Sequence, residues 1–152
     1  VGRIDRTTSA GEARDTAALL MHVTEQTLHN FEAAAAAFDL TVAQARALLA
    51  LEGAAPMRSL AEHLRCDASY VTGIADHLER RGLVSRAAQA GDRRVKLLQL
   101  TPDGRRLRST LQARMLETSP VMVALDAGER ALLRDLLAKA AGSEPTTPPS
   151  ED

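Results

Sequence analysis

Between residues 12 and 38 the apolar positions Ala17, Leu20, Met21, Leu28, Phe31, Ala35 and Phe38, with Thr24 in the same series, recur at spacings of three and four. That periodicity predicts one long amphipathic helix. Its apolar stripe is longer than a small neighbouring element can cover, so a partner subunit is expected along it. Thr41 and Gln44 form a capping box that opens a second helix ending near Gly53. Ser59 and Glu62 repeat the box and predict a short helix ending about Arg65. Asp67 is expected to cap the following helix by accepting from its free N–H groups, and that helix runs to Arg81 and stops at Gly82.

Residues 83–86 and 95–100 read as the two strands of a hairpin around an exposed tip. Thr101 and Pro102 restart a helix that reaches about Thr118. Ser119-Pro120 breaks the chain, and Asp126 with Glu129 caps a last helix ending about Ala141. The pattern is five or six helices with one hairpin before the fifth. Two short helices joined by a tight turn and followed by a hairpin make a winged helix-turn-helix, so the expected fold class is mainly α with a β-hairpin wing, flanked by N- and C-terminal helices that the family resemblance named below assigns to dimerisation. Residues 1–11 and the Pro/Ser/Thr/acidic stretch 142–152 are expected to be disordered. Residues 41–101 form the expected DNA-binding region, and 12–40 with 102–141 the helical region that the same resemblance makes the dimerisation region.

Composition narrows the function class. Phe31, Phe38 and Tyr70 are the only aromatic residues, so aliphatic side chains must fill the core. No apolar run approaches the ~18 residues of a membrane span. No segment resembles a secretory leader, and a lone cysteine cannot form an internal disulfide. A cytoplasmic protein is expected. The bias toward arginine, with Lys96 and Lys139 the only lysines, together with heavy alanine use, points to a GC-rich bacterial genome. The net charge of −1 hides a segregation: residues 58–108 carry eleven Arg/Lys against six Asp/Glu, a net of +5, and the rest of the chain carries eight against fourteen, a net of −6. A basic middle permits a polyanion partner without specifying one. Gly-rich phosphate loops, zinc-type Cys/His spacings and nucleophile motifs are absent, so neither an enzyme nor a cofactor is expected.

Within the helix from Asp67 to Arg81, Val71, Ile74, Ala75 and Leu78 share one face, expected to pack on Leu60, Ala61 and Leu64 of the short helix before it. The opposite face presents Ser69, Gly73, Asp76 and Arg80, flanked by Tyr70, Thr72 and His77. Hydroxyls there can donate to or accept from base edges, and a threonine methyl can touch a thymine methyl. Gly73 costs about 1 kcal/mol relative to alanine in mid-helix. Close approach to a groove floor and tight internal packing both account for it. At the hairpin tip, Asp92, Arg93 and Arg94 read alone as a solvated turn with a weak ion pair. Directly after a helix-turn-helix they read as an arginine extended into a narrow minor groove, with Asp92 holding a guanidinium by paired hydrogen bonds.

The run SLAEHLRCDASYVTGIADHLERRGLVSR followed by GDRRVKLLQLTPDG resembles the MarR (multiple antibiotic resistance regulator) family. Its Asp-x-Arg wing followed by Leu-Thr and a helix stands here as Asp92, Arg94, Leu100 and Thr101, and the helix order agrees over roughly residues 12–141. The resemblance implies a homodimer built from the first helix and the last two. It also implies a recognition helix in the major groove of a palindromic operator, a wing arginine in the minor groove, and release by a small aromatic or phenolic ligand bound between the dimer and DNA-binding regions. Carried onto this chain, Ser69, Tyr70, Thr72, Gly73 and His77 are candidate groove contacts, and Arg94 is the wing arginine, oriented by Asp92 and neighboured by Arg93. Arg58, Ser59, Arg86 and Lys96 are candidate phosphate contacts.

Two sharper ideas are weighed against plainer ones. The family's oxidation sensors place their reactive cysteine near the start of the first helix, whereas Cys66 falls in the turn of the helix-turn-helix and reads as a buried structural thiol. His22, Glu25, His29 and Glu32 share a helix face that could coordinate zinc, but polar residues opposite an apolar stripe read as solvated, so no metal is expected. A winged-helix protein-interaction module and a constitutive DNA binder without ligand response are the rival functions. The first would lack the steep salt dependence of phosphate neutralisation.

Overall fold

A computed structural model describes residues 10–142 except 90 and 91; the side chains of 89 and 92–95 lie outside the description. Among the described residues, seven helices and three strands follow one another as α1 (Ala10–Ala36), α2 (Val42–Ala50), β1 (Ala55–Pro56), α3 (Met57–Leu64), α4 (Ala68–Arg80), β2 (Val84–Gln89), β3 (Asp92–Leu100), α5 (Pro102–Glu117), α6 (Pro120–Ala124) and α7 (Ala127–Ala141). The expected winged helix-turn-helix is present, with the hairpin immediately before α5. The terminal stretches 1–9 and 143–152, expected to be disordered, lie outside the described residues.

Local signals fix most helix starts. The Thr41 hydroxyl accepts from Gln44 N while the Gln44 side chain accepts from Thr41 N, closing the box at α2. Asp126 and Glu129 do the same at α7, both at 2.9 Å. Thr101 caps α5 with Pro102 behind it, and Gly82 takes the left-handed φ of +68° expected after α4.

Three expectations are corrected. Ser59 does not cap α3: the helix begins at Met57 with Pro56 at the N-cap, which leaves Ser59 inside the first turn. The cause is long-range, because Ala55 and Pro56 pair with Leu98 and Leu97 as a short strand on the edge of the wing sheet, in the order β1-β3-β2. A proline is tolerated on such an edge because it has no N–H to offer the ladder. Asp67 occupies the N-cap of α4 in extended geometry, but its side chain makes no capping hydrogen bond. The break at Ser119-Pro120 also starts a further helix, α6, whose first turn Ser119 caps through Met122 N.

The core lies in the centre of the chain. Val71, Ile74, Ala75 and Leu78 of α4 are buried against a cluster that includes Leu60, Ala61 and Leu64 of α3, Leu48 and Leu51 around α2, and Leu98 of β3. The base of the wing is pinned to α5 at one crowded junction. Thr101 N donates to Leu83 O at 3.0 Å, and its hydroxyl donates to Gly82 O at 2.6 Å while accepting from Gly104 N at 3.0 Å. Gly104 is required there, because a Cβ would stand 1.9 Å from Leu83 O.

The helical frame is closed less completely. Asn30 of α1 donates to Met115 O at 3.0 Å and accepts from the Thr118 hydroxyl at 2.6 Å, tying α1 to α5. Yet α7 has no buried residue, and Leu19, Leu20, Met21 and Leu28 of α1 remain exposed. No helix among the described residues is long and apolar enough to cross a membrane.

Candidate nucleic-acid interface

Helix α4 turns its buried face to α3 and leaves the opposite face open. Ser69, Tyr70, Thr72, Gly73 and Arg80 are exposed, and Asp76 and His77 are half-buried. Tyr70, 57% exposed, is the one aromatic ring displayed by the central region. Ser69, Thr72, Gly73 and Asp76 stand at spacings of three and four, so they form one polar row along the helix. The Thr72 hydroxyl donates to Ala68 O at 3.0 Å, which leaves its lone pairs and its methyl facing outward.

Gly73 separates the two explanations left open by the sequence. A Cβ added there would meet no atom of the described residues within 4 Å, so packing among them does not require the glycine. Its helix-propensity cost of about 1 kcal/mol is unexplained by anything inside the subunit, whereas approach of an outside surface would account for it.

The candidate phosphate contacts divide. Arg58 and Ser59 are exposed on the first turn of α3, Arg58 held only by an exposed pair with Glu62 at 3.2 Å. Such a pair is weak and easily exchanged for another anion. Lys96 is exposed on β3. Arg86 differs: it is part-buried, and its guanidinium is bonded to both Asp76 and Glu79 of α4. Arg65, which the sequence reading passed over, sits exposed at φ 54° in the turn between α3 and α4, beside Arg58 on a shallow surface with Glu62 and Asp67. Its position one turn ahead of the recognition helix was the available signal.

Asp92, Arg93 and Arg94 belong to β3, but their side chains lie outside the described residues. The backbone register is informative: Ala88 pairs with Lys96 and Gln89 with Asp92, so residues 93–95 form a bulge in β3. Bulges of this kind locally interrupt pairing and bend the strand. Cys66 is half-buried rather than fully buried, and it packs on the core beside Leu64 and Tyr70. On α1, His22 is hydrogen-bonded to Gln26 at 3.1 Å, while Glu25, His29 and Glu32 are exposed.

Behind the reading helices is an open cleft of about 940 Å³. Leu28 and Phe31 of α1, Val42 and Leu49 of α2 and the 52–55 loop line it, with Arg46 and His63 among its polar groups. Arg46 forms no ion pair or hydrogen bond among the described residues, unlike Arg108 nearby, which contacts Leu49 O and Glu52. Sequence reasoning missed Arg46, because its place in the cleft depends on which helices meet around it.

The MarR family model matches residues 40–96, the segment from α2 to the wing. Among solved structures, CouR from Rhodococcus jostii RHA1 bound to p-coumaroyl-CoA is 30% identical, covering 85% of this chain and 93% of that one at a TM-score of 0.66. A MarR-family transcriptional regulator from Rhodococcus sp. RHA1 is 29% identical over 88% of this chain and 96% of its own, at a TM-score of 0.67. BpsR from Bordetella bronchiseptica, whose DNA binding is regulated by 6-hydroxynicotinic acid, is 25% identical over 94% and 100%, at 0.63. No curated protein sequence matches the chain. With the open polar face of α4, the wing beside it and this agreement over nearly the whole length, the chain belongs to the MarR family of winged-helix, DNA-binding transcription regulators and is not an enzyme.

Proposed function

We propose that the protein is a homodimeric repressor that occupies a palindromic operator and is released by a small aromatic acid. The observation that carries the reading is the pairing of an open, polar α4 face with frame helices whose leucines remain exposed among the described residues. Two subunits joined through α1, α6 and α7 would present two α4 helices about one DNA turn apart, each in a major groove. Ser69, Tyr70, Thr72, Gly73 and His77 then meet base edges, Arg94 enters the minor groove with Asp92 and Arg93 beside it, and Arg58, Ser59 and Lys96 hold phosphates. Repression follows where the operator overlaps a promoter.

The cleft between α1 and α2 suits the ligand. Its volume of about 940 Å³ is at the upper end of ordinary small-molecule sites. Apolar walls at Leu28, Phe31, Val42 and Leu49 accept a ring, and the uncommitted Arg46 offers a fork to a carboxylate. CouR and BpsR, similar in fold and sequence, are associated with p-coumaroyl-CoA and 6-hydroxynicotinic acid, both of which carry an aromatic ring.

The test is a footprint on a duplex selected by the protein from a random-sequence pool, repeated with a panel of benzoic, cinnamic and nicotinic acids. An inverted repeat with two protected grooves is expected, with at least one acid lifting the protection from the wild type but not from Arg46→Ala. Protection of an inverted repeat that no acid relieves would leave a constitutive binder and overturn the ligand reading.

A further inference from the structure

The groove-facing helix is not basic. α4 carries two carboxylates, Asp76 and Glu79, against the single guanidinium of Arg80. Asp76 continues the row of Ser69, Thr72 and Gly73, so on the reading above it faces a polyanion, where an uncompensated carboxylate repels. The compensating charge comes from the wing. Arg86 on β2 reaches back, its Nη1 donating to Glu79 Oε2 at 2.6 Å and its Nη2 donating to Asp76 Oδ1. Arg86 follows buried Val84 by two residues, so it shares the strand face turned toward the core. Its side chain is only 25% exposed, and both carboxylates are partly shielded as well. Shielded charges are screened less by salt than open ones. The planar fork serves two carboxylates at once, which a lysine cannot reproduce.

We propose that Arg86 is a positioning residue that neutralises Asp76 and Glu79 and fastens the wing to the recognition helix, and that it is not a phosphate contact. The proposal rests on DNA binding through α4. It assigns Asp76 and Glu79 a structural reason to exist on a surface meant for DNA, and it makes the wing and the helix a single rigid reader.

A double-mutant cycle tests it, using a fluorescein-labelled duplex that the wild type selects from a random pool and following Kd by anisotropy. The proteins are the wild type, Arg86→Ala, Asp76→Asn with Glu79→Gln, and all three changes together, each checked for fold by circular dichroism. Arg86→Ala is expected to weaken binding about tenfold or more, in the range of coupling inside one ion-pair network. Removing the two carboxylates should recover most of that loss in the Arg86→Ala background, yet change the wild-type background by no more than about threefold. Equal factors in the two backgrounds would mean that Arg86 acts on DNA independently, and would overturn the proposal; so would an Arg86→Ala protein that binds like wild type. Arg86→Lys repeats the cycle if Arg86→Ala does not fold: a phosphate contact would survive that change, whereas the fork would be lost and binding should weaken. A wild type that selects no duplex defeats the DNA-binding reading and this proposal with it; a wild type that binds without coupling defeats the proposal alone.

Discussion

The centre of the molecule and its helical frame are built on the same aliphatic alphabet but finish their cores differently. Between Leu40 and Leu100, apolar side chains from α2, α3, α4 and the wing close on one another, and among the described residues Val42 and Tyr70 are the large hydrophobics left exposed. On the frame, Leu20 is 54%, Leu132 63% and Leu136 56% exposed, and α7 buries nothing. Large apolar side chains left open along a helix are the kind of surface that marks an interaction site when they form a patch. The difference teaches that the reader buries its core within one chain, while the frame leaves leucines exposed, which is what the proposed homodimer would cover.

The sharpest way to break that comparison is to charge the frame without touching the reader. Leu132→Asp with Leu136→Asp should give a folded monomer by sedimentation, because both side chains are mostly exposed within the chain. Operator affinity should fall by about 100-fold or more, the factor that linking two binding modules typically supplies. A variant that stays dimeric, or a monomer that binds as tightly as the wild type, would remove the frame from the mechanism. Arg94→Ala works from the other side, inside the reader. It should weaken the operator complex by about tenfold and reduce the slope of log K against log salt by about 1, with the dimer intact. The smallest effect is expected at Gly73. Alanine there meets no atom of the subunit, so Gly73→Ala should raise thermal stability by up to about 1 kcal/mol while lowering operator affinity. A stability gain with unchanged affinity would show that nothing approaches the helix at that point.

What could be read from the sequence was what neighbouring residues decide among themselves. The boxes at Thr41–Gln44 and Asp126–Glu129, the Thr101-Pro102 start and the apolar face of α4 each depend on a few contiguous positions, and each is present. Local signals misled at Asp67, which makes no capping bond, and at Ser119, which starts a further helix; the other misreading is long-range. Ser59 had the right residue at the right spacing, but pairing of Ala55 and Pro56 with β3, some forty residues later, moved the helix start to Met57. The partners of Arg86 were equally out of local view, because only the folded hairpin brings it to Asp76 and Glu79. Gly104 gave no local sign of its need, which comes from Leu83 O across the junction. The wing arginines were legible as a motif, and the structure adds to them only the bulge at 93–95.

The central claim is that the exposed row of α4, duplicated by two-fold symmetry, reads the DNA. Ser69 is the most direct probe, since it is exposed and its hydroxyl has no partner among the described residues. Selecting duplexes from a random pool with the wild type and with Ser69→Ala compares their preferred sequences position by position. The account predicts that the preference changes at one position in each half-site, equidistant from the dyad, with overall affinity for the best duplex altered much less. An unchanged motif, or a change confined to one half-site, would contradict it.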